Sequence, residues 1–293
     1  MEILGNQQHK VIYGDALEAL QTLPDNSIDL IFADPPYNIG KNFNGHVEKW
    51  KTDEDYLEWC YKWLDLCLKK LKPSGSFYVM TATQFMPYFD IYLRTKTHIL
   101  SRLIWHYDSS GVQAKKYYGS MYEPILFCVK DKNKYTFNAD DILIEAKTGA
   151  KRKLIDYRKA IPKVYNSEKV PGNVWEFARV RYRMDEYENH PTQKPIALLE
   201  RIIRASSNVG DIVLDPFSGT FTTSFVAKEF KRSSIGIEIQ DEYVKIGLRR
   251  LKLANEYKGE KLERKMRSFE INKIDLSDSI KLFEGQNGQY LHR

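Results

Sequence analysis

Three short stretches of the chain place acids, prolines and aromatics where they can act on a ligand. Asp34-Pro35-Pro36-Tyr37 follows the apolar run Ile28–Ala33. A proline pair ends regular structure, so the four residues belong to the loop behind a strand. The Asp34 carboxylate and a neighbouring carbonyl can both accept from one exocyclic amino group, and Tyr37 offers its face to a planar base. Such a nitrogen is a poor nucleophile, because its lone pair is delocalised into the ring. Two acceptors on its N–H bonds favour a more tetrahedral nitrogen whose lone pair points at an electrophile. These residues therefore suit methylation of an amino nitrogen. They also suit a plain proline-rich turn with Asp34 bonding its own backbone.

The second stretch, Asp215-Pro216-Phe217-Ser218-Gly219-Thr220, lies behind the strand candidate Ile212–Leu214. A small-residue turn before a helix lets backbone amides approach a ligand closely. Glu238 ends the next strand candidate, where an acid commonly binds ribose hydroxyls. The competing reading is a tight strand-to-helix connection plus a surface acid. In the third stretch, His190-Pro191-Thr192-Gln193-Lys194-Pro195, Thr192 and Lys194 offer a hydroxyl and an ammonium to a ligand carboxylate. The alternative is a helix capped by Thr192 and opened by Pro195. His190 has no companions that would make it a metal ligand, and no metal is expected.

The elements that must position these stretches alternate in type. Strands are expected at Val11–Tyr13, Ile28–Ala33, Ser76–Met80, Ser101–Tyr107, Pro124–Val129, Ile212–Leu214 and Ser234–Ile239. Helices are expected at Ala16–Leu23, Asp55–Leu71 (closed by Pro73 and Gly75), Pro195–Ser206, Thr222–Glu229 and Asp241–Tyr257. This alternation argues for an α/β fold with a mostly parallel sheet, its motifs on the loops behind the strands. From Lys147 to Arg183, eleven Lys/Arg meet only three acids, with Tyr157, Tyr165, Trp175, Phe177 and Tyr182 interleaved. Periodicity is poor there, which reads as an inserted, electropositive, loop-rich segment. The expected organisation is a first half over 1–130, an inserted basic region over 131–185, a second half over 186–257 and a charged tail over 258–293.

The 293 residues carry a formal charge of +6, with 14 Phe, 19 Tyr and 5 Trp to bury. That composition excludes disorder over most of the chain. No stretch approaches the roughly 20 apolar residues that span a bilayer, and Met1–Lys10 has no leader pattern, so a cytoplasmic location is expected. Cys60, Cys67 and Cys128 form no metal-type spacing, and none follows a proline, as a nucleophilic cysteine acting on cytosine C5 would.

The three motifs, in this order and separated by a basic segment, resemble the β class of amino-methylating DNA methyltransferases. Tyr13-Gly14-Asp15, Leu71-Lys72-Pro73-Ser74-Gly75 and Gly119-Ser120-Met121-Tyr122-Glu123-Pro124 support the resemblance. Tyr107–Lys116 and Val170–Trp175 point to its bacterial adenine-specific subgroup. The resemblance implies a Rossmann-like, seven-stranded, mostly parallel sheet with circularly permuted motif order and an inserted target-recognition region. It implies S-adenosyl-L-methionine as cofactor and double-stranded DNA as substrate; a homodimer is a hypothesis prompted by the family and the charged tail, and the sequence does not say whether a cognate restriction endonuclease partners the chain. Asp34 and the Pro35 carbonyl, on the Asp34–Tyr37 loop with Pro36, would orient the target amino group, and Tyr37 would stack on the flipped base. Asp215, Pro216, Phe217, Ser218, Gly219 and Thr220 would hold the methionine moiety, with Asp34 also beside the cofactor. Glu238 would hold the ribose, Asp15 would lie near the adenine, and Thr192 and Lys194 near the cofactor carboxylate. Adenine N6 is the expected target, with cytosine N4 as the alternative. Asp rather than Asn at position 34 counts against a protein amide substrate. The motif order counts against RNA, and the intact Asp34–Tyr37 loop against a dead DNA-binding regulator. One departure stands out: the family turn usually has a second glycine where this chain has Phe221.

Overall fold

A computed structural model describes residues 1–40, 42–43, 46–47, 49–108, 114–147, 153–158 and 160–253. The tail expected over 258–293 lies outside the described residues. The sheet strands are β1 (Glu2–Gly5), β2 (His9–Tyr13), β3 (Ile28–Ala33), β4 (Leu71–Met80), β5 (His98–His106), β6 (Tyr122–Val129), β7 (Val174–Glu176), β8 (Ile212–Asp215) and β9 (Ser233–Glu238). The helices are α1 (Ala16–Thr22), α2 (Asp53–Lys70), α3 (Met86–Arg94), α4 (Ile196–Ser206), α5 (Thr222–Glu229) and α6 (Asp241–Arg250).

Among the described residues, nine strands form one sheet in the order β1-β2-β9-β8-β3-β4-β6-β5-β7. Only β1 and β6 run against the rest. The expected seven strands are thus corrected to nine. The seven inner ones were foreseen, and β1 and β7 lengthen the sheet at its two edges. β7 comes from inside the basic segment and pairs in parallel with β5, Trp175 opposite Trp105. The rest of that segment makes two short pairs, Ile144–Glu145 with Glu168–Lys169 and Ile155–Asp156 with Lys163–Val164.

Both sheet faces are covered, which is why the central strands read as continuous apolar runs. Ile31 and Ala33 of β3 face α1, α2 and α3, in a core with Leu20, Trp63, Leu64 and Phe89. Leu30 and Phe32 face α4 and α5, in a second core with Leu198, Ile202, Val213 and Val226. Each fully buried side chain of this size contributes about 1.5–3 kcal/mol. A one-residue slip of β3 would exchange its two faces at once.

Local chemistry sets the element ends. Asp15 accepts from the Leu17 and Glu18 amides and caps α1. Thr52 Oγ1 accepts from the Asp55 amide at 3.0 Å and starts α2 earlier than expected. Acids in its first turn and Lys69 and Lys70 in its last suit the helix dipole. Pro73 and Gly75 do not close α2, as was expected; they lie within β4. The register with β3 jumps there from Ile28–Leu71 to Leu30–Ser76, so Lys72 to Gly75 bulge out where a proline can stand. Helix α6 stops at Arg250, short of Tyr257, with Lys252 at φ +59° just beyond. Helix α4 begins after Pro195; Glu186 Oε2 accepts from the Ile196 amide at 2.7 Å, so Glu186 rather than Thr192 satisfies its first turn.

Candidate active site

Four parallel neighbours, β2, β9, β8 and β3, end at the same edge of the sheet, and each delivers an acid there. Asp15 follows β2, Glu238 ends β9, Asp215 ends β8 and Asp34 follows β3. The chain leaves β3 and β8 in opposite directions across the sheet, so a crevice opens between their ends, where α/β folds bind ligands. Asp15, Asp34 to Tyr37, Thr192, Lys194, Asp215 to Thr220 and Glu238 all line one cavity of about 390 Å³.

At the β3 end, four side chains close a ring. Tyr37 donates its hydroxyl to Asp34 Oδ1 at 2.5 Å and lies 3.1 Å from Glu123 Oε2. The Lys194 ammonium stands 2.5 Å from Asp34 Oδ2 and 3.5 Å from Glu123 Oε2. The loop itself is held by Tyr56 of α2, which donates to the Pro36 carbonyl at 2.7 Å. Burial pushes the Asp34 carboxyl up, against the pull of Lys194. Burial together with the Asp34 and Glu123 charges holds Tyr37 well above its ordinary value, so it stays a donor. Burial opposes charge on Lys194, but Asp34 and Glu123 outweigh it and keep the ammonium protonated. The Lys194 ammonium, expected near a ligand carboxylate, lines the cavity and is paired with the buried Asp34 carboxylate. The Thr192 amide, for its part, donates to His190 Nδ1 at 3.2 Å.

At the β8 and β9 ends the acids are tied to backbone. Asp215 Oδ1 accepts from the Phe217 amide at 3.0 Å and Oδ2 from Thr223 Oγ1 at 2.5 Å. Ser218 Oγ donates to the Asp215 carbonyl at 2.9 Å. Glu238 Oε2 accepts from Gly219 at 2.8 Å, and Oε1 from the Ile239 and Gln240 amides at 3.0 and 2.9 Å. Burial raises both carboxyls, each to about 7. Gly219 sits at φ +48°, and a Cβ there would lie 3.1 Å from His190 Nε2. The His190 ring, passed over as a metal candidate, thus packs on the turn, with Tyr243 edge-on 4.5 Å away.

Phe221 is fully buried and does not line the cavity. Its ring fills the space left by two glycines: a Cβ at Gly236 would fall 2.5 Å from it, and one at Gly247 2.4 Å. It adopts φ +57°, the left-handed conformation a glycine would take freely, so packing carries the strain. Glu123 was not among the expected site residues. It sits near the start of β6, the one inner strand that runs backwards, so its first residues reach the edge where other strands end.

An open sheet covered on both faces, with this cavity at its switch point, defines a Rossmann-like methyltransferase fold. Its backbone superposes on the M1.HpyAVI–SAM complex with a TM-score of 0.57 at 25% identity, covering 84% of this chain and 100% of that one. The cytosine-N4-specific PvuII DNA methyltransferase gives a TM-score of 0.62 at 20% identity, over 84% of this chain and 86% of that one. The chain belongs to the DNA methylase family, whose model matches residues 28–249. It is 61% identical over 258 residues to DNA adenine methyltransferase YhdJ of Escherichia coli (strain K12), covering 88% of this chain and 87% of that protein. It is 38% identical over 244 residues to Type II methyltransferase M.HpaI of Haemophilus parainfluenzae, covering 83% of this chain and 74% of that one.

Proposed function

We propose that this protein transfers a methyl group from S-adenosyl-L-methionine to adenine N6 at a short site in double-stranded DNA. The observation that carries the reading is the Asp34–Tyr37–Glu123–Lys194 ring, whose Asp34, Tyr37 and Lys194 line the same cavity as Asp215 and Glu238. The residues present fit the cofactor. The cavity has the size of a small-molecule site, with Phe217, Ile237 and Ile239 as apolar walls and acceptor carboxylates suited to ribose hydroxyls. When bound, S-adenosylmethionine supplies a methyl group already activated by a sulfonium. Glu238 accepts from the ribose hydroxyls, the turn from Asp215 to Thr220 encloses the methionine portion, and Asp15 and Thr192 line its ends.

A base inside a duplex cannot reach Asp34, so it is flipped out, at a cost of a few kcal/mol that stacking on Tyr37 helps offset. Both oxygens of Asp34 already hold a donor, but each has a second lone pair for the target amino group. Asp34 and the Pro35 carbonyl then orient the nitrogen, and catalysis is mostly positioning and electrostatics. The basic segment within 131–185 is proposed to contact phosphates and base edges. A cytoplasmic location and a homodimer are proposed alongside it, with a cognate endonuclease as a candidate partner; gel filtration with light scattering tests the dimer. For the chemistry, Asp34→Ala is expected to abolish transfer while DNA binding persists, and normal turnover by that variant would overturn the mechanism.

A further inference from the structure

We infer that Glu123 is a positioning residue of the methyl-transfer centre, holding Lys194 and giving the centre its net negative charge. The inference rests on the role proposed for Asp34. Glu123 is only 18% exposed at its side chain, and Oε2 faces both Tyr37 and Lys194. Oε1 lies 3.5 Å from the Tyr107 hydroxyl, and the Arg179 guanidinium stacks on the Tyr107 ring, 5.0 Å from its centroid.

The charge count makes the argument. Asp34 and Lys194, 2.5 Å apart, cancel. Without a further anion the ring is neutral. As the N–CH₃ bond forms and the S–CH₃ bond breaks, the electron pair stays on sulfur. The positive charge then moves from sulfur to nitrogen, until the nitrogen releases a proton to water. A neutral centre offers that growing cation little, whereas a fixed anion in a water-poor site stabilises it substantially. Glu123 supplies the anion and shares Lys194, which leaves Asp34 better able to accept from the target amino group.

Charge and shape are separated by three variants. Gln at 123 keeps the length and an acceptor oxygen but not the charge; Asp keeps the charge but not the length; Asn keeps neither. The assay is single-turnover transfer from labelled S-adenosylmethionine to DNA of a methylation-free host, with melting curves and cofactor binding for each variant. Glu123→Gln is expected to lose on the order of 10- to 100-fold in rate, with cofactor binding within about twofold. Glu123→Asp is expected to exceed both Glu123→Gln and Glu123→Asn. If Glu123→Gln does not fold, the Asp and Asn pair makes the same comparison at shorter reach. A Gln variant at the wild-type rate, or an Asp variant no faster than Asn, overturns the inference. An active Asp34→Ala would instead overturn the reading beneath it.

Discussion

Gly247 lies in the interior of α6, where glycine is ordinarily a liability. On an open helix surface, Gly→Ala stabilises by about 1 kcal/mol. Here the opposite sign is expected. An alanine Cβ at 247 would meet three atoms of the Phe221 ring at 2.4, 2.6 and 2.8 Å, well inside van der Waals contact. The ring cannot retreat, because Gly236 sits against it on β9, where an added Cβ would lie at 2.5 Å. Overpacking of this kind costs about 1–3 kcal/mol, and a ring pinned by two glycines belongs in the upper half of that range. After the helical gain is subtracted, Gly247→Ala should destabilise by about 1–2 kcal/mol. At roughly 2–4 °C per kcal/mol for a domain of this size, the melting temperature falls by about 2–8 °C. In a Phe221→Ala background the clash is gone, and the same change should be neutral or stabilising by up to about 1 kcal/mol. Urea melts of the four proteins give the coupling directly. A Gly247→Ala protein more stable than wild type, or a cycle additive within about 0.5 kcal/mol, would refute the packing account of Phe221.

Three further outcomes follow from the charges at the site. Glu238 is raised to about 7 by burial, and its ionised form is the stronger acceptor for ribose hydroxyls. Cofactor affinity should therefore rise as pH increases through about 7, and Glu238→Gln should bind weakly with a flat pH profile. The raised Asp215 and Glu238 carboxyls also contribute stability to the free protein that is fully present only below their ordinary values of about 4. That contribution is lost as pH rises through about 7, so the unliganded melting temperature should be lower at pH 8 than at pH 6. Lys194→Met strips the buried Asp34 of its counter-charge, which typically costs about 3–5 kcal/mol, and should abolish transfer. Its destabilisation should shrink at low pH, where Asp34 takes up a proton; equal destabilisation at pH 5 and pH 8 would contradict the ion pair.

What the sequence made legible was local. The Asp34–Tyr37 loop and the Asp215–Thr220 turn each follow a short apolar strand, and parallel neighbours must end at one edge, so chain-local signals placed them together. Helix α5 was read to its ends, because Thr222–Glu229 is bounded by the turn before it and by Phe230 after it. Glu123 escaped because its position depends on β6 running backwards, and nothing in Tyr122–Val129 encodes strand direction. The partner of Lys194 escaped for a related reason: 160 residues separate it from Asp34, and only burial of both decides that they pair. β1 and β7 are four and three residues long, too short for periodicity to show. Helix α3 has no side-chain cap and starts beside Pro87, so it carried no start signal beyond the proline. The missing second glycine is a departure from the family's cofactor turn. Its compensation, Gly236 and Gly247, is visible only in three dimensions.

The most direct test is sequencing of single DNA molecules, with modified bases identified, from a methylation-free bacterial host expressing this protein or its Asp34→Ala variant. N6-methyladenine at one short motif, present with the wild-type chain and absent with the variant, is the expected result. N4-methylcytosine instead, or no modified base from a protein that folds and binds S-adenosylmethionine, would contradict it.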